Sequence, residues 1–211
     1  MSLPEPVRLY GHPRAPNPRR VDIFLAEKGL EIPRTELNLM ELEQRRPDYL
    51  GKAGVAQVPA LELSDGTVLV ESVAICRYLE ALVPEPDMMG REVMEAVRIE
   101  MWQRRVELGL FSAVAHCFRH TNPHMAVMEE QCPDWGEANR GRIAARLAEL
   151  DARLDGREWI AADRLTIADI TALVAVDFLR VIKYPVPEEH AALRAWHERM
   201  RARPSTALPG R

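Results

Sequence analysis

Cysteine is nearly absent: Cys76, Cys117 and Cys132 are the three in 211 residues, and no pair has CxxC spacing. A set this sparse and odd in number excludes a disulfide framework and a zinc knuckle, and it suits reduced thiols in the cytoplasm. Long apolar runs are missing as well. The longest, residues 170–179, is broken by Thr171 and Asp177 and is too short to span a bilayer. Residues 1–12 are polar, with Pro4 and Pro6, and lack the apolar segment of an export signal. The expectation is a chain that neither crosses a membrane nor is exported. Nor is there an excess of one charge, since 28 Lys and Arg face 32 Asp and Glu for a net charge of −4. Such a balance offers no field to attract nucleic acid. What is present, 47% hydrophobic and 28% charged residues without repeats or low-complexity stretches, belongs to a globular chain long enough for one large domain or two small ones.

The first third alternates between strand and helix patterns. Residues 7–10 form a short β-type run. Asn17 and Pro18 then read as an N-cap and first-turn proline, opening a helix that carries Val21, Phe24, Leu25 and Lys28 and closes at Gly29. Thr35, Leu37 and Leu39 alternate as a second strand, which a crossover helix makes parallel to the first, and residues 41–46 give a brief helical turn stopped by Pro47. Residues 60–63 and 67–70 flank Ser64, Asp65 and Gly66 as an antiparallel hairpin, and a helix follows from Ser72 with Ile75, Leu79 and Leu82 on one stripe.

Pro84, Pro86 and Gly90 then punctuate the chain, and everything beyond them has helical period. The predicted organisation is an α/β domain over residues 1–83, a linker over 84–91 and an all-α domain over 92–211. In the helix expected over 92–118, Met94, Val97, Met101, Leu108 and Phe111 form one apolar stripe, and Ile99, Trp102, Val106 and Leu110 another. A helix with two apolar faces is expected to pack on both sides.

Three short segments carry a resemblance. Gln57-Val58-Pro59-Ala60-Leu61, Glu71-Ser72 and Thr166-Ile167-Ala168-Asp169 occur in this order across nearly the whole chain. Together with the βαβ-ββα order and a following helical domain, they resemble the glutathione S-transferase family, in which a thioredoxin-like N-terminal domain precedes an all-helical bundle. The resemblance implies a glutathione transferase that holds reduced glutathione as co-substrate, without a metal, and turns its thiolate on a small hydrophobic electrophile. It also implies a homodimer in the cytoplasm. In the family the Val58–Pro59 peptide is cis and the Val58 backbone pairs with the cysteinyl part of glutathione; the plain alternative is a proline at a strand start. Glu71 and Ser72 would hold the γ-glutamyl group at a helix N-terminus, where free N–H groups and positive potential favour a carboxylate, or would simply begin that helix. Gln44 and Gln57 would lie near the glycine carboxylate and backbone of glutathione, or on the surface. Thr166 and Asp169 read as a capping box with no catalytic role.

The group that activates the thiol departs from the family pattern. Many bacterial relatives carry Ser or Thr before a Pro-Asn pair, where this chain has Ala15-Pro16-Asn17. Lowering a thiol pKa from about 8.5 by about two units requires roughly 2.7 kcal/mol. A helix N-terminus supplies up to ~2 kcal/mol, and one hydrogen bond to a charged acceptor roughly 1.5–3. The helix end at Ala15 plus the Asn17 side-chain NH₂ would therefore suffice, with Arg14 and His12 as alternatives. In the helical domain, the resemblance places Val106, His116, Phe118 and His120 at the electrophile cleft; for Trp102 ordinary packing is favoured. A metal at His116, His120, His124 and Cys117 is disfavoured because Pro123 interrupts the helix. The rival functions are a glutathione-dependent disulfide reductase, peroxidase or isomerase, and a non-catalytic binding protein on the same fold.

Overall fold

Strand β1 (Pro6–Gly11) runs parallel to β2 (Arg34–Glu36) and antiparallel to β3 (Ala60–Leu63), and β3 pairs antiparallel with β4 (Val68–Val70), giving the order β2-β1-β3-β4. This computed structural model describes residues 3–207. The parallel pair is the one joined by helix α1 (Pro16–Lys28), whereas β3 and β4 are closed by a tight turn in which the Gly66 N–H donates to Leu63 O at 3.0 Å. Strand alternation sorts the faces. Leu9 pairs with Leu61, and both are fully buried; Tyr10 and Ala60 point the other way into a cluster with Leu37 and Tyr49.

Tyr49 belongs to α2 (Pro47–Ala53), and its ring meets Tyr10 edge-on at 6.0 Å. This helix corrects the expectation that Pro47 stops a turn. The preceding segment forms two 3-10 turns, Leu39–Glu41 and Glu43–Arg45, and Pro47 opens a helix as its first residue, where its missing N–H costs nothing. Helix α1 buries Val21, Phe24 and Leu25 and packs against α3 (Ser72–Leu82), which buries Ile75, Cys76 and Leu79. Full burial of each such side chain contributes about 1.5–3 kcal/mol. Gly29 ends α1 at φ 64°, so that the Leu30 N–H reaches back to Leu25 O at 3.0 Å, a left-handed turn that favours glycine.

One compact unit ends at Asp87, with Ala207 added to it; the other is Met88–Thr206. The second contains α4 (Val93–Arg105), a π-helical stretch (Val106–Phe111), α5 (Ser112–Thr121), α6 (Pro133–Leu154), α7 (Ile167–Phe178) and α8 (Ala191–Arg201). The long expected helix is thus helical from Val93 to Thr121 but widens midway. There Gly109 admits a close neighbour: a Cβ on it would lie 3.2 Å from the Arg146 side chain. The two stripes of α4 also part company. Ile99, Trp102, Val106 and Leu110 are buried, whereas of the other stripe Phe111 alone is buried and Met94, Val97, Met101 and Leu108 are exposed, as is Val93, so packing on both sides does not hold along most of this helix within one chain. Trp102 is buried, with the guanidinium groups of Arg105 and Arg153 at 4.5 and 4.9 Å from the centre of its ring.

Residues Ile167 to Val176 of α7 are buried on every side, the pattern of a central bundle helix. Asp169 within it is also fully buried and accepts from Ile160 N–H at 2.9 Å, Thr166 N–H at 3.1 Å, Thr166 Oγ1 at 2.9 Å and the Trp196 indole at 3.3 Å. The Thr166–Asp169 capping box is therefore also a buried junction between α7, α8 and the loop before α7. Among the described residues, no helix is long and apolar enough to cross a membrane.

Candidate functional site

Sheet topology brings the N-terminal candidates to one place. The C-terminal end of β1 leads into residues 12–15, the N-terminal end of β3 follows Val58 and Pro59, and the C-terminal end of β4 runs into Glu71 and Ser72. Because Tyr10 pairs with Ala60 and Ala60 with Val70, these three ends are the same end of the sheet. The segment holding Gln44 follows β2, whose parallel pairing with β1 puts its C-terminal end there too. Carboxyl ends of parallel strands are where open α/β sheets bind ligands. The Val58–Pro59 peptide is cis.

At the start of α1 the N-cap is Ala15, in extended conformation and with no side chain to accept from the helix, while Asn17 is the second helical residue. Asn17 therefore does not cap this helix, contrary to the alternative expected for it. Pro16 and Pro18 carry no N–H, so of the first three helical residues Asn17 alone offers a backbone donor. The Asn17 side chain is engaged differently: its Oδ1 accepts from Arg20 Nη1 at 3.2 Å. Nearby, the Arg14 N–H donates to His12 Nδ1 at 3.2 Å, and the Arg14 side chain is exposed.

At the start of α3 the N-cap is Glu71, with φ 67° and ψ 110°, a strained backbone for any residue with a Cβ. Ser72, next in the chain, is buried and its Oγ accepts from Arg20 Nη1 at 2.6 Å. Ser72 thus does not cap its own helix either. The carboxylate of Glu71 lies on an exposed residue beside a helix end whose first amides, on Ser72 to Ala74, precede the first helical bond from Ile75 N–H to Glu71 O. Gln44 is buried rather than on the surface, with Nε2 3.5 Å from Leu39 O; Gln57 is exposed and its carbonyl accepts from the Tyr49 hydroxyl.

Arg20 is the residue that sequence reasoning missed. Its guanidinium joins Asn17 on its own helix to Ser72 on α3 and has no solvent exposure. Helical spacing indicates only its face, since Arg20 stands three and four residues before the apolar Ile23 and Phe24, and it says nothing of the partners.

In the helical unit, three of the candidate side chains are arranged around α5. The His116 and His120 rings stack at 6.1 Å, and Trp135 meets His116 at 5.9 Å. Burial, followed by the neighbouring His120 and Arg119, pushes the His116 imidazole below its usual range. His116 Nδ1 is enclosed with no hydrogen-bond partner among the described residues. His120 Nδ1 accepts from the Cys132 N–H at 3.1 Å and so ties α5 to the start of α6. Phe118 packs on Phe178 at 5.5 Å, and Val106 is buried in the widened helix. His124 lies apart, exposed in a 3-10 turn (Pro123–Val127). Among the described residues no group of three or more His, Cys, Asp or Glu is placed to hold a metal ion.

A four-stranded mixed sheet of this order with helices on both faces, followed by a helical bundle, defines a thioredoxin-like domain joined to an all-α domain. Residues 15–82 match the family model "Glutathione S-transferase, N-terminal domain", and residues 119–204 match "Glutathione S-transferase, C-terminal domain". Glutathione S-transferase 2 of Saccharomyces cerevisiae is 37% identical over 93% of this chain and 86% of its own. Among solved structures, Gtt2 from Saccharomyces cerevisiae superposes with a TM-score of 0.90 at 36% identity, covering 95% of this chain and 98% of that one. A glutathione S-transferase domain-containing protein from Marinobacter aquaeolei VT8 does so with a TM-score of 0.92 at 36% identity, covering 95% and 100%. The chain belongs to the glutathione S-transferase family.

Proposed function

We propose that this protein binds reduced glutathione on its N-terminal domain in an extended pose and uses the thiolate to attack a small hydrophobic electrophile. The observation that carries this reading is the convergence of the Ala15–Asn17, Val58–Pro59 and Glu71–Ser72 stretches at one end of the sheet. The Val58 backbone pairs with the cysteinyl part. Ser72 and the free amides of α3 receive the γ-glutamyl carboxylate, and Glu71 accepts from its ammonium. Gln44 and Gln57 serve the glycine end, although the buried amide of Gln44 supports contact through a neighbouring backbone better than directly.

The sulfur, held near the start of α1, forms a bond to the electrophilic carbon while the leaving group departs with its bonding pair. The protein supplies orientation and stabilises the thiolate; the nucleophile belongs to glutathione. Two prolines leave few backbone donors there, which raises the share that falls to the Asn17 amide. On the helical domain, His116, His120 and Phe118 contribute to the electrophile's site; the buried Val106 supports their helix from within. The exposed stripe of Val93, Met94, Val97 and Met101 supports a homodimer, and three free thiols suit the cytoplasm.

The test is retention on immobilised glutathione and elution with free glutathione, followed by calorimetry. Binding with stoichiometric heat supports the reading. A folded protein that ignores glutathione refutes it.

A further inference from the structure

A buried guanidinium is expensive to desolvate, and Arg20 is fully buried in a small domain. Two uncharged oxygens accept from it. The same nitrogen, Nη1, lies 2.6 Å from Ser72 Oγ and 3.2 Å from Asn17 Oδ1, and so joins the first turn of α1 to the first residue of α3.

A guanidinium can only donate, and this has one consequence at each end. The Asn17 atom that faces Arg20 must be the carbonyl oxygen, because an amide nitrogen there would set donor against donor. The two N–H bonds of the Asn17 amide therefore point away from Arg20. At Ser72 the guanidinium occupies a lone pair, leaving the single hydroxyl hydrogen to turn to another acceptor.

From this arrangement we infer that Arg20 is a positioning residue that sets Asn17 and Ser72 as hydrogen-bond donors, Asn17 toward the glutathione sulfur and Ser72 toward the γ-glutamyl carboxylate. The inference rests on the proposed glutathione site and adds to it a single buried cation that prepares both ends of the ligand. It also accounts for a hydroxyl at the start of α3 that caps no helix, and for an amide at the start of α1 that caps none either.

A double-mutant cycle tests it. Arg20→Met keeps the length of the side chain and removes its donors. Glutathione affinity is expected to fall about tenfold, and the pKa of the bound thiol, read from thiolate absorbance, to rise by about one unit. In a Ser72→Ala background the same change is expected to alter affinity less than about twofold, because the hydroxyl it would orient is already gone. Equal loss in both backgrounds, or no loss in either, overturns the proposal; the first would show that Arg20 acts by its charge or by packing. Wild-type protein that fails to bind glutathione overturns the site itself and the proposal with it, a result separate from any variant's.

A measurement on the unmodified chain stands even if Arg20→Met does not fold. The Asn17 side-chain NH₂ resonances, assigned by their loss in Asn17→Asp, are expected to shift when glutathione is added and to follow the titration of its thiol. Resonances indifferent to glutathione overturn the proposal.

Discussion

Glu71 offers a test in which stability and binding move in opposite directions. Its backbone, at φ 67° and ψ 110°, lies outside even the left-handed helical basin, a conformation that costs about 1–3 kcal/mol for a residue with a Cβ. Glu71→Gly removes that strain but returns about 0.5–1 kcal/mol of chain entropy to the unfolded state. The net expectation is a gain of about 1 kcal/mol, which in a domain of this size raises Tm by about 2–4 °C. The same substitution deletes the carboxylate proposed to accept from the glutathione ammonium. An exposed pair is worth about 1 kcal/mol and one covered by ligand up to about 3, so affinity is expected to fall about fivefold to a hundredfold. Glu71→Ala separates the effects: it loses the carboxylate and keeps the strain, so affinity falls without the rise in Tm. Scanning calorimetry and titration calorimetry on the three proteins decide the matter. A Glu71→Gly variant that is less stable refutes the strain, and one that binds glutathione as tightly as wild type refutes the role of the carboxylate.

Ala15→Ser adds a hydroxyl at an N-cap that has none and is expected to stabilise the protein by about 1 kcal/mol and to increase turnover with a generic electrophile; Asn17→Ala is expected to raise the bound thiol pKa by about 1–2 units, lowering turnover at neutral pH far more than at high pH, and an unchanged thiolate titration would remove Asn17 from the mechanism. Burial pushes Asp169 up to about 6 against the four groups that donate to it. Since this lies above the unfolded value of about 3.9, its contribution to stability is fully present below about pH 4 and lost as pH rises through about 6, a change of about 3 kcal/mol. The stability difference between wild type and Asp169→Asn, from urea unfolding, should follow that curve; a flat difference refutes it. Val97→Asp and Met101→Asp, on the exposed stripe of α4, are expected to convert a dimer to a folded monomer by light scattering, and variants that remain dimeric refute that interface.

Local rules were enough to read much of this chain. Period-two and helical patterns, the Ser64–Gly66 turn and the crossover helix marked β1, β3, β4 and the direction of β2, because each is decided by neighbours within a few residues; the alternation of Thr35, Leu37 and Leu39 misplaced β2 itself, which ends at Glu36 before Leu39 opens a 3-10 turn. The Thr166–Asp169 capping box was legible for the same reason, and the Val58–Pro59 and Glu71–Ser72 segments carried the family by their order. What the pattern could not supply came from contacts between distant residues. The widening of the helix at Val106–Phe111, where Gly109 admits Arg146 from α6, leaves no trace in apolar spacing. Which stripe of α4 is covered was decided by the rest of the bundle, and Pro47 became a helix opener because Tyr49 could pack on Tyr10. Arg20 shows the limit most clearly. In sequence it is one of many surface-type cations, and only the packing of α1 against α3 takes it out of water and sets Ser72, 52 positions away, within 2.6 Å. A buried donor must find acceptors wherever the fold has put them, and that is a property of the tertiary structure that no local pattern encodes.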